Sequence, residues 1–313
     1  MARCFVTRAL PGPALDRLRA EHEVDVWPGD EPPTAAQLAA QAANAHGLLS
    51  LLTDRVDTAL LDACPELCAI ANYAVGYDNI DLEATRARGI PVGNTPDVLT
   101  EATADLAFAL LLAAARGLNA AEISVRADQW RTWEPAAYLG RDVHGATLGI
   151  VGMGRIGQAV AARAAGFDME VIHHDMEVID AGRGGVSFPA LLARADFISL
   201  HCPLTADTHH LINEAALIEM KPTAILINTA RGPIVDQVAL REALKAGQIA
   251  GAALDVTDPE PMRADDPLLT APNLIVVPHI GSATITARHT MAELAVDNLL
   301  AALAGEPMPH PVG

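Results

Sequence analysis

Thr147-Leu-Gly-Ile-Val151-Gly152-Met-Gly154-Arg-Ile-Gly157-Gln-Ala-Val-Ala-Ala-Arg-Ala-Ala165 decides the fold of this chain. An apolar run rich in β-branched residues leads into G-x-G-x-x-G, and a helix-like Ala/Val stretch leaves it, which is the context a dinucleotide fingerprint requires. Gly152 permits the tight turn, Gly154 lets backbone approach a pyrophosphate, and Gly157 lets the helix pack against the strand. The N-terminus of the helix that follows offers free N–H groups and a positive dipole end, which favour phosphate. The fingerprint begins almost halfway along, so the residues before it fold into something else, expected to hold the substrate.

At 313 residues the chain exceeds one typical core and reads as two domains. Hydrophobic residues make up 51% and aromatics only 4%, so the cores are expected to be built from Ala, Leu, Val and Ile. A formal charge of −18 argues against nucleic acid and anionic membrane surfaces, both of which need a basic footprint. An anionic substrate therefore needs a local cationic pocket. No apolar run reaches the length of a membrane span and Met1–Arg8 lacks a signal-peptide core, so a cytoplasmic location is expected. Cys4, Cys64, Cys68 and Cys202 show no zinc-like pairing with histidine, and no metal is expected.

Before the fingerprint, strands are read at Cys4–Thr7, Val24–Val26, Gly47–Leu52 and Ala69–Ala71, and helices at Pro13–Ala20, Thr34–Ala45, Asp57–Ala63 and Asp81–Arg88. This alternation gives a parallel sheet covered on both faces. A break at Gly93–Asp97 precedes a long Ala/Leu-rich helix from Thr100 to Arg116 or beyond, and Gln129–Pro135 reads as an arm or loop. Six further strands, Leu148–Val151, Glu170–His173, Phe197–Leu200, Ala224–Asn228, Ala252–Asp255 and Leu274–Val277, suit a complete dinucleotide-binding sheet. The last helix, Ala283–Leu303, is expected to pack back on the first domain. The fold class expected is α/β, with two doubly wound parallel-sheet domains: a flavodoxin-like substrate domain of residues 1–98 and 286–313, and a Rossmann dinucleotide-binding domain of residues 99–285.

Asp175 ends the second Rossmann strand, 175 − 157 = 18 residues past the last glycine, near the spacing at which an acidic residue binds the adenosine ribose. A carboxylate there repels a 2′-phosphate, and the next residue is Met176 rather than arginine, so NAD is expected over NADP; Arg183 lies nearby in sequence. Three strand ends carry further polar groups, in Ile227-Asn-Thr-Ala-Arg231, Leu254-Asp255-Val-Thr-Asp-Pro-Glu260 and Val277-Pro-His279. Carboxyl ends of strands form the ligand crevice in such sheets. Singly, these are a surface arginine, a turn glutamate and a backbone-bonded histidine. Together they suit reduction of a 2-oxo acid: a guanidinium grips the carboxylate, and an imidazolium gives a proton to the carbonyl oxygen as hydride reaches carbon.

Asn72–Asp81, Gly152–Gly157, His201-Cys-Pro-Leu-Thr205, Asn228–Gly232, Asp258–Pro261 and Pro278–Ser282 together resemble the D-isomer-specific 2-hydroxyacid dehydrogenases. Asn94–Asp105 and Trp133–Gly140 are most similar to the glyoxylate/hydroxypyruvate reductase branch. The resemblance implies Arg231 as substrate binder, Glu260 as partner of the histidine, and His279 as acid/base. It implies backbone contacts from Val75 and Gly76 to the substrate carboxylate, with Leu52 shaping the pocket. Thr103, Arg155, Ile156, Asp175, Pro203, Thr208, Thr229 and Asp255 match cofactor positions, and the long helix and tryptophan arm match dimer contacts, so a homodimer is implied.

The chain departs from NADP-preferring members, which carry a Ser-Arg-like pair at Asp175-Met176, and from phosphite dehydrogenases, which carry lysine at Val75. Its segment between Asp175 and Phe188 is short. The function implied is NADH-dependent reduction of glyoxylate or hydroxypyruvate to the D-hydroxy acid. Two alternatives stay open: another small 2-oxo acid, and a non-catalytic NAD-sensing protein.

Overall fold

The computed structural model describes residues 1–175 and 184–312. The chain divides into two compact units, Met1–Leu99 with Ala283–Gly313, and Thr100–Ser282.

The first unit carries β1 (Arg3–Val6), β2 (Glu23–Val26), β3 (Gly47–Ser50), β4 (Ala69–Asn72) and β5 (Val92–Gly93), all parallel, in the order β2-β1-β3-β4-β5. That is the flavodoxin-like order. Helices Ala35–Ala42, Thr58–Ala63 and Leu82–Ala87 cover one face, where Leu38, Leu60, Leu61 and Ala84 close a core over Phe5, Leu48 and Ile70. Helices Ala14–Glu21 and Ile285–Leu303 cover the other, where Leu15, Leu18, Met291, Val296 and Leu299 pack on Cys4, Val6, Leu49 and Ala71. Each such buried side chain stabilises by roughly 1.5–3 kcal/mol relative to exposure. Several helices start where the sequence marks them. Asp57, Asp81 and Thr284 accept backbone N–H groups as N-caps, and Thr34 forms a capping box with Gln37.

Two features of this unit were not read from the sequence. β5 is only two residues long and follows Pro91, too little to show a period of two, and it exists through pairing with Ile70 and Ala71. The C-terminal tail also joins it, because Gly93 bridges Pro311 and Val312 N–H donates to the Val92 carbonyl at 2.8 Å.

The second unit carries β6 (Thr147–Val151), β7 (Glu170–His174), β8 (Phe197–Leu200), β9 (Ile225–Asn228), β10 (Gly251–Leu254) and β11 (Leu274–Val276), parallel, in the order β11-β10-β9-β8-β6-β7. Helices Thr100–Arg116 and Arg155–Ala164 cover one face, with Phe108, Leu111 and Val160 over Leu148, Ile150 and Ile227. Helices Phe188–Arg194, Glu214–Glu219 and Gln237–Lys245 cover the other, with Leu191, Leu217 and Leu240 over Ile198, Leu200 and Leu226.

The six strands expected of this sheet are present. Numbered within the unit, the order is 2-1-3-4-5-6, whereas the usual Rossmann order is 3-2-1-4-5-6. Among the described residues, Gly185 forms an isolated parallel bridge to His173 outside β7.

The expected long helix ends at Arg116, where Gly117 takes φ +59, and a second helix, Leu118–Arg126, follows. Only glycine enters that left-handed conformation without steric cost.

Candidate active site

The glycine loop joins β6 to the helix Arg155–Ala164, and its three glycines do different work. Gly152 has φ +92, and a Cβ there would lie 2.6 Å from the Cys202 nitrogen and 2.7 Å from the His201 carbonyl carbon, so the turn is pressed onto the end of β8. Gly157 faces the Gly152 carbonyl, 2.2 Å from where its Cβ would stand, which seats the helix against the turn. Gly154 meets nothing within 4 Å. The open side of the loop is therefore at Gly154, the place backbone approach to a pyrophosphate demands.

Asp175 follows β7, and its Oδ2 accepts the Met153 N–H at 2.9 Å, tying the carboxylate to the glycine loop. Met176 and Arg183 lie outside the described residues. Thr229 sits just past β9 with its hydroxyl buried and without a hydrogen-bond partner among the described residues. A buried orphan of this kind costs about 1–3 kcal/mol unless a ligand or water meets it. The open glycine loop, the helix N-terminus, Asp175 and orphaned Thr229 fit a bound dinucleotide. Thr208 is buried and already engaged: its hydroxyl donates to the Pro203 carbonyl at 2.6 Å and accepts the Thr205 N–H at 2.8 Å, closing the loop that carries Pro203.

Past β9, Asn228 organises the turn. It is fully buried, its Oδ1 accepts the Ala230 N–H at 3.0 Å, and its Nδ2 donates to the Arg231 carbonyl at 2.8 Å. Asparagine at a strand end before a turn is the sequence signal for such a bond. Arg231 Nη1 donates to the Ala230 carbonyl at 2.8 Å. Gly232 then packs directly on the next loop, since a Cβ there would stand 2.0 Å from the Thr257 carbonyl oxygen. The Arg231 turn and the loop bearing Glu260 are thereby neighbours.

Asp255 follows β10 and is almost fully buried. Ile280 N–H donates to its Oδ1 at 2.6 Å and Gly281 N–H to its Oδ2 at 2.8 Å. Burial pushes the Asp255 carboxyl above its ordinary range, against the pull of those two N–H bonds. The Asp255 carbonyl accepts the His279 N–H at 2.9 Å. His279 itself stands at φ +52, unusual for a non-glycine residue and held there by these bonds. Thr103, on the helix Thr100–Arg116, lies against Gly281, 3.4 Å from its Cβ position.

The geometry joins His279 Nδ1 to Glu260 Oε1 in a short hydrogen bond, both side chains partly exposed. A carboxylate on Nδ1 favours a proton there and leaves Nε2 unengaged by that bond. One unit thus brings together Arg231, Glu260, His279, Asp255, Thr103 and the glycine loop. Leu52, Val75 and Gly76 lie in the other unit, after β3 and β4. Among the described residues no group of histidine, cysteine and carboxylate side chains is arranged to hold a metal, and no single helix is long and apolar enough to cross a membrane.

Residues 108–281 match the family model for the D-isomer specific 2-hydroxyacid dehydrogenase, NAD binding domain. The chain is 48% identical over 314 residues to a glyoxylate reductase of Korarchaeum cryptofilum, covering 98% of this chain and 95% of the relative. It superposes on a crystal structure of a Thermus thermophilus protein with TM-score 0.95 and 51% identity, covering 99% and 100% of the two chains. An NADPH-dependent glyoxylate/hydroxypyruvate reductase of Sinorhizobium meliloti, solved with NADP and malonate, gives TM-score 0.87 at 35% identity, covering 100% and 97%.

Proposed function

The chain belongs to the D-isomer specific 2-hydroxyacid dehydrogenases, a family of oxidoreductases, and we propose that it reduces glyoxylate and hydroxypyruvate with NADH to the corresponding D-2-hydroxy acid. The observation that carries this reading is the hydrogen bond between His279 and Glu260, formed on the loops beside the Arg231 turn. Full-length likeness to glyoxylate reductases supports the substrate class.

When bound, the reduced nicotinamide supplies a hydride to the carbonyl carbon. Protonated His279 gives its Nε2 proton to the carbonyl oxygen, so that hydride and proton together turn the carbonyl into a hydroxyl. Glu260 holds the ring and stabilises its positive charge in that state. Arg231 takes the substrate carboxylate in its planar fork. In the first unit, the N–H groups of Val75 and Gly76 are carboxylate donors, with Leu52 in the loop after β3. Gly154, the N–H groups of the helix at Arg155 and Ile156, Thr229 and Asp175 would hold the cofactor. Pro203, Thr208, Thr103 and Asp255 shape the surrounding loops.

NADH rather than NADPH is favoured by the Asp175 carboxylate, which would repel a 2′-phosphate. The same reading makes the protein a cytoplasmic homodimer. Exposed apolar residues Leu118, Ile123, Val125, Trp130, Trp133, Tyr138 and Leu139 support the dimer.

The test is a panel of 2-oxo acids assayed with NADH and NADPH, repeated with His279→Ala. The variant should lose about two to four orders of magnitude in kcat while binding NADH as wild type does. Undiminished turnover would remove His279 from the mechanism, and a wild type that turns over none of the acids would overturn the reading.

A further inference from the structure

Three successive carbonyls after β4 are each tied to the interior of the first unit. The Ala74 carbonyl accepts the Thr95 N–H at 2.9 Å. The Val75 carbonyl accepts from Asn94 Nδ2 at 2.8 Å, and the Gly76 carbonyl from Asn72 Nδ2 at 2.9 Å. These peptide bonds are trans, so each N–H points opposite to the carbonyl of the same plane. The N–H groups of Val75, Gly76 and Tyr77 are therefore turned away from the interior. None of them donates a hydrogen bond within the described residues. Successive backbone N–H groups left in this way form an anion-binding concavity.

The amides that do the tying are themselves held. Asn72 is fully buried, and its Oδ1 accepts the Ser50 hydroxyl at 3.1 Å. Asn79 Nδ2 donates to the carbonyls of Leu51 at 3.1 Å and Asp54 at 2.9 Å, joining the Leu52 loop to the same scaffold. Asp54, also buried, accepts the Leu51 N–H at 2.7 Å. Asn94 is fixed through its own backbone, its carbonyl accepting from Asn298 Nδ2 at 2.8 Å. Burying uncharged amides without partners is costly, and here each NH2 group finds its partner in the loop carbonyls.

We propose that Asn72 and Asn94 are positioning residues for carboxylate recognition: by turning the Gly76 and Val75 carbonyls inward they aim the N–H groups of Tyr77 and Gly76 outward, and Tyr77 is a third backbone donor beside Val75 and Gly76. The inference rests on the reading of the protein as a 2-oxo-acid reductase. Loss of one tie frees a peptide plane to rotate and disorganises one or two donors to an anion.

The experiment compares wild type with Asn94→Ala, Asn94→Leu and Asn72→Ala, each checked for its melting temperature, in NADH-dependent glyoxylate reduction with oxalate as the dead-end carboxylate probe. Each folded variant should raise both KM for glyoxylate and the inhibition constant of oxalate about tenfold or more, with kcat changed no more than about threefold and NADH affinity unchanged. Asn94→Leu keeps the volume without the donor, so wild-type constants in that variant would show a packing role and overturn the proposal. Equal losses in kcat and NADH affinity would overturn it too, as general damage to the fold. A variant that fails to fold leaves the other two to decide. A wild type that reduces no 2-oxo acid at all would sink the functional reading first, and the positioning role with it; normal wild-type turnover with unaltered variants sinks the positioning role alone.

Discussion

Gly281 N–H donates to Oδ2 of Asp255 at 2.8 Å, two residues after His279, and this bond ends a clamp that fixes the histidine's backbone. Oδ1 of the same carboxylate takes the Ile280 N–H at 2.6 Å. Asp255→Asn puts an NH2 group against one of two buried N–H donors, which costs about 1–3 kcal/mol of stability. We expect kcat to fall about 10- to 100-fold, with the thermal midpoint lowered by a few degrees. A variant with unchanged kcat and midpoint would mean that the loop holds its shape without the clamp.

Gly152 and Gly154 should respond in opposite ways to the same methyl group. Gly152→Ala forces a Cβ to within 2.6 Å of backbone at φ +92 and should destabilise by more than about 2 kcal/mol, or prevent folding. Gly154→Ala enters open space and should cost no more than about 1 kcal/mol as a helix N-cap change. Its NADH affinity should nevertheless fall about tenfold or more, because the methyl group obstructs the pyrophosphate. Melting curves with and without NADH separate the two, and a Gly154→Ala protein that binds NADH normally would move the phosphate site elsewhere.

We expect Asp175 to carry the cofactor choice. Asp175→Ser combined with Met176→Arg should shift the ratio of kcat/KM for NADPH over NADH upward by about two orders of magnitude, since a repelling carboxylate gives way to a phosphate-binding guanidinium. Wild-type enzyme that uses NADPH as efficiently as NADH would contradict the role assigned to Asp175.

His201 gives the fold an acid-sensitive point. Burial pushes its imidazole from 6.5 down to about 4, and its Nε2 lies 2.8 Å from the Ser199 hydroxyl. Between those values the unfolded chain binds a proton that the folded chain does not, so stability is complete above pH 6.5 and declines as pH falls toward 4. His201→Gln should flatten this window by about 2 kcal/mol, read as a smaller drop in melting temperature between pH 7 and pH 4. Parallel pH profiles for the two proteins would show that His201 titrates normally.

Much of the architecture is local in origin and was legible in the chain. Thr147–Val151 followed by the three glycines reads as a strand, a turn and a helix from its local pattern, because the turn takes φ +92 at Gly152 and leaves no room for a side chain at Gly157. Helix starts at Asp57 and Asp81 were legible for the same reason: capping is decided within four residues. Arg231, Glu260 and His279 could be nominated from the ends of predicted strands, since parallel strands deliver those ends to one edge of a sheet.

What only the tertiary structure decided depends on partners distant in sequence. β5 is a strand because Ile70 and Ala71 and a tail residue, Pro311, lie beside it, not because two residues have a period. The bridge of Gly185 to His173 joins residues twelve apart that no local pattern pairs. The work of Asn72, Asn94 and Asn228 was hidden because an asparagine in a sequence shows neither its burial nor the carbonyl it meets. The sequence by itself determined which segments could be strands, turns and helices and which side chains could do chemistry; the fold decided which of them meet, because hydrogen bonds and packing act over a few ångströms of space and take no account of distance along the chain.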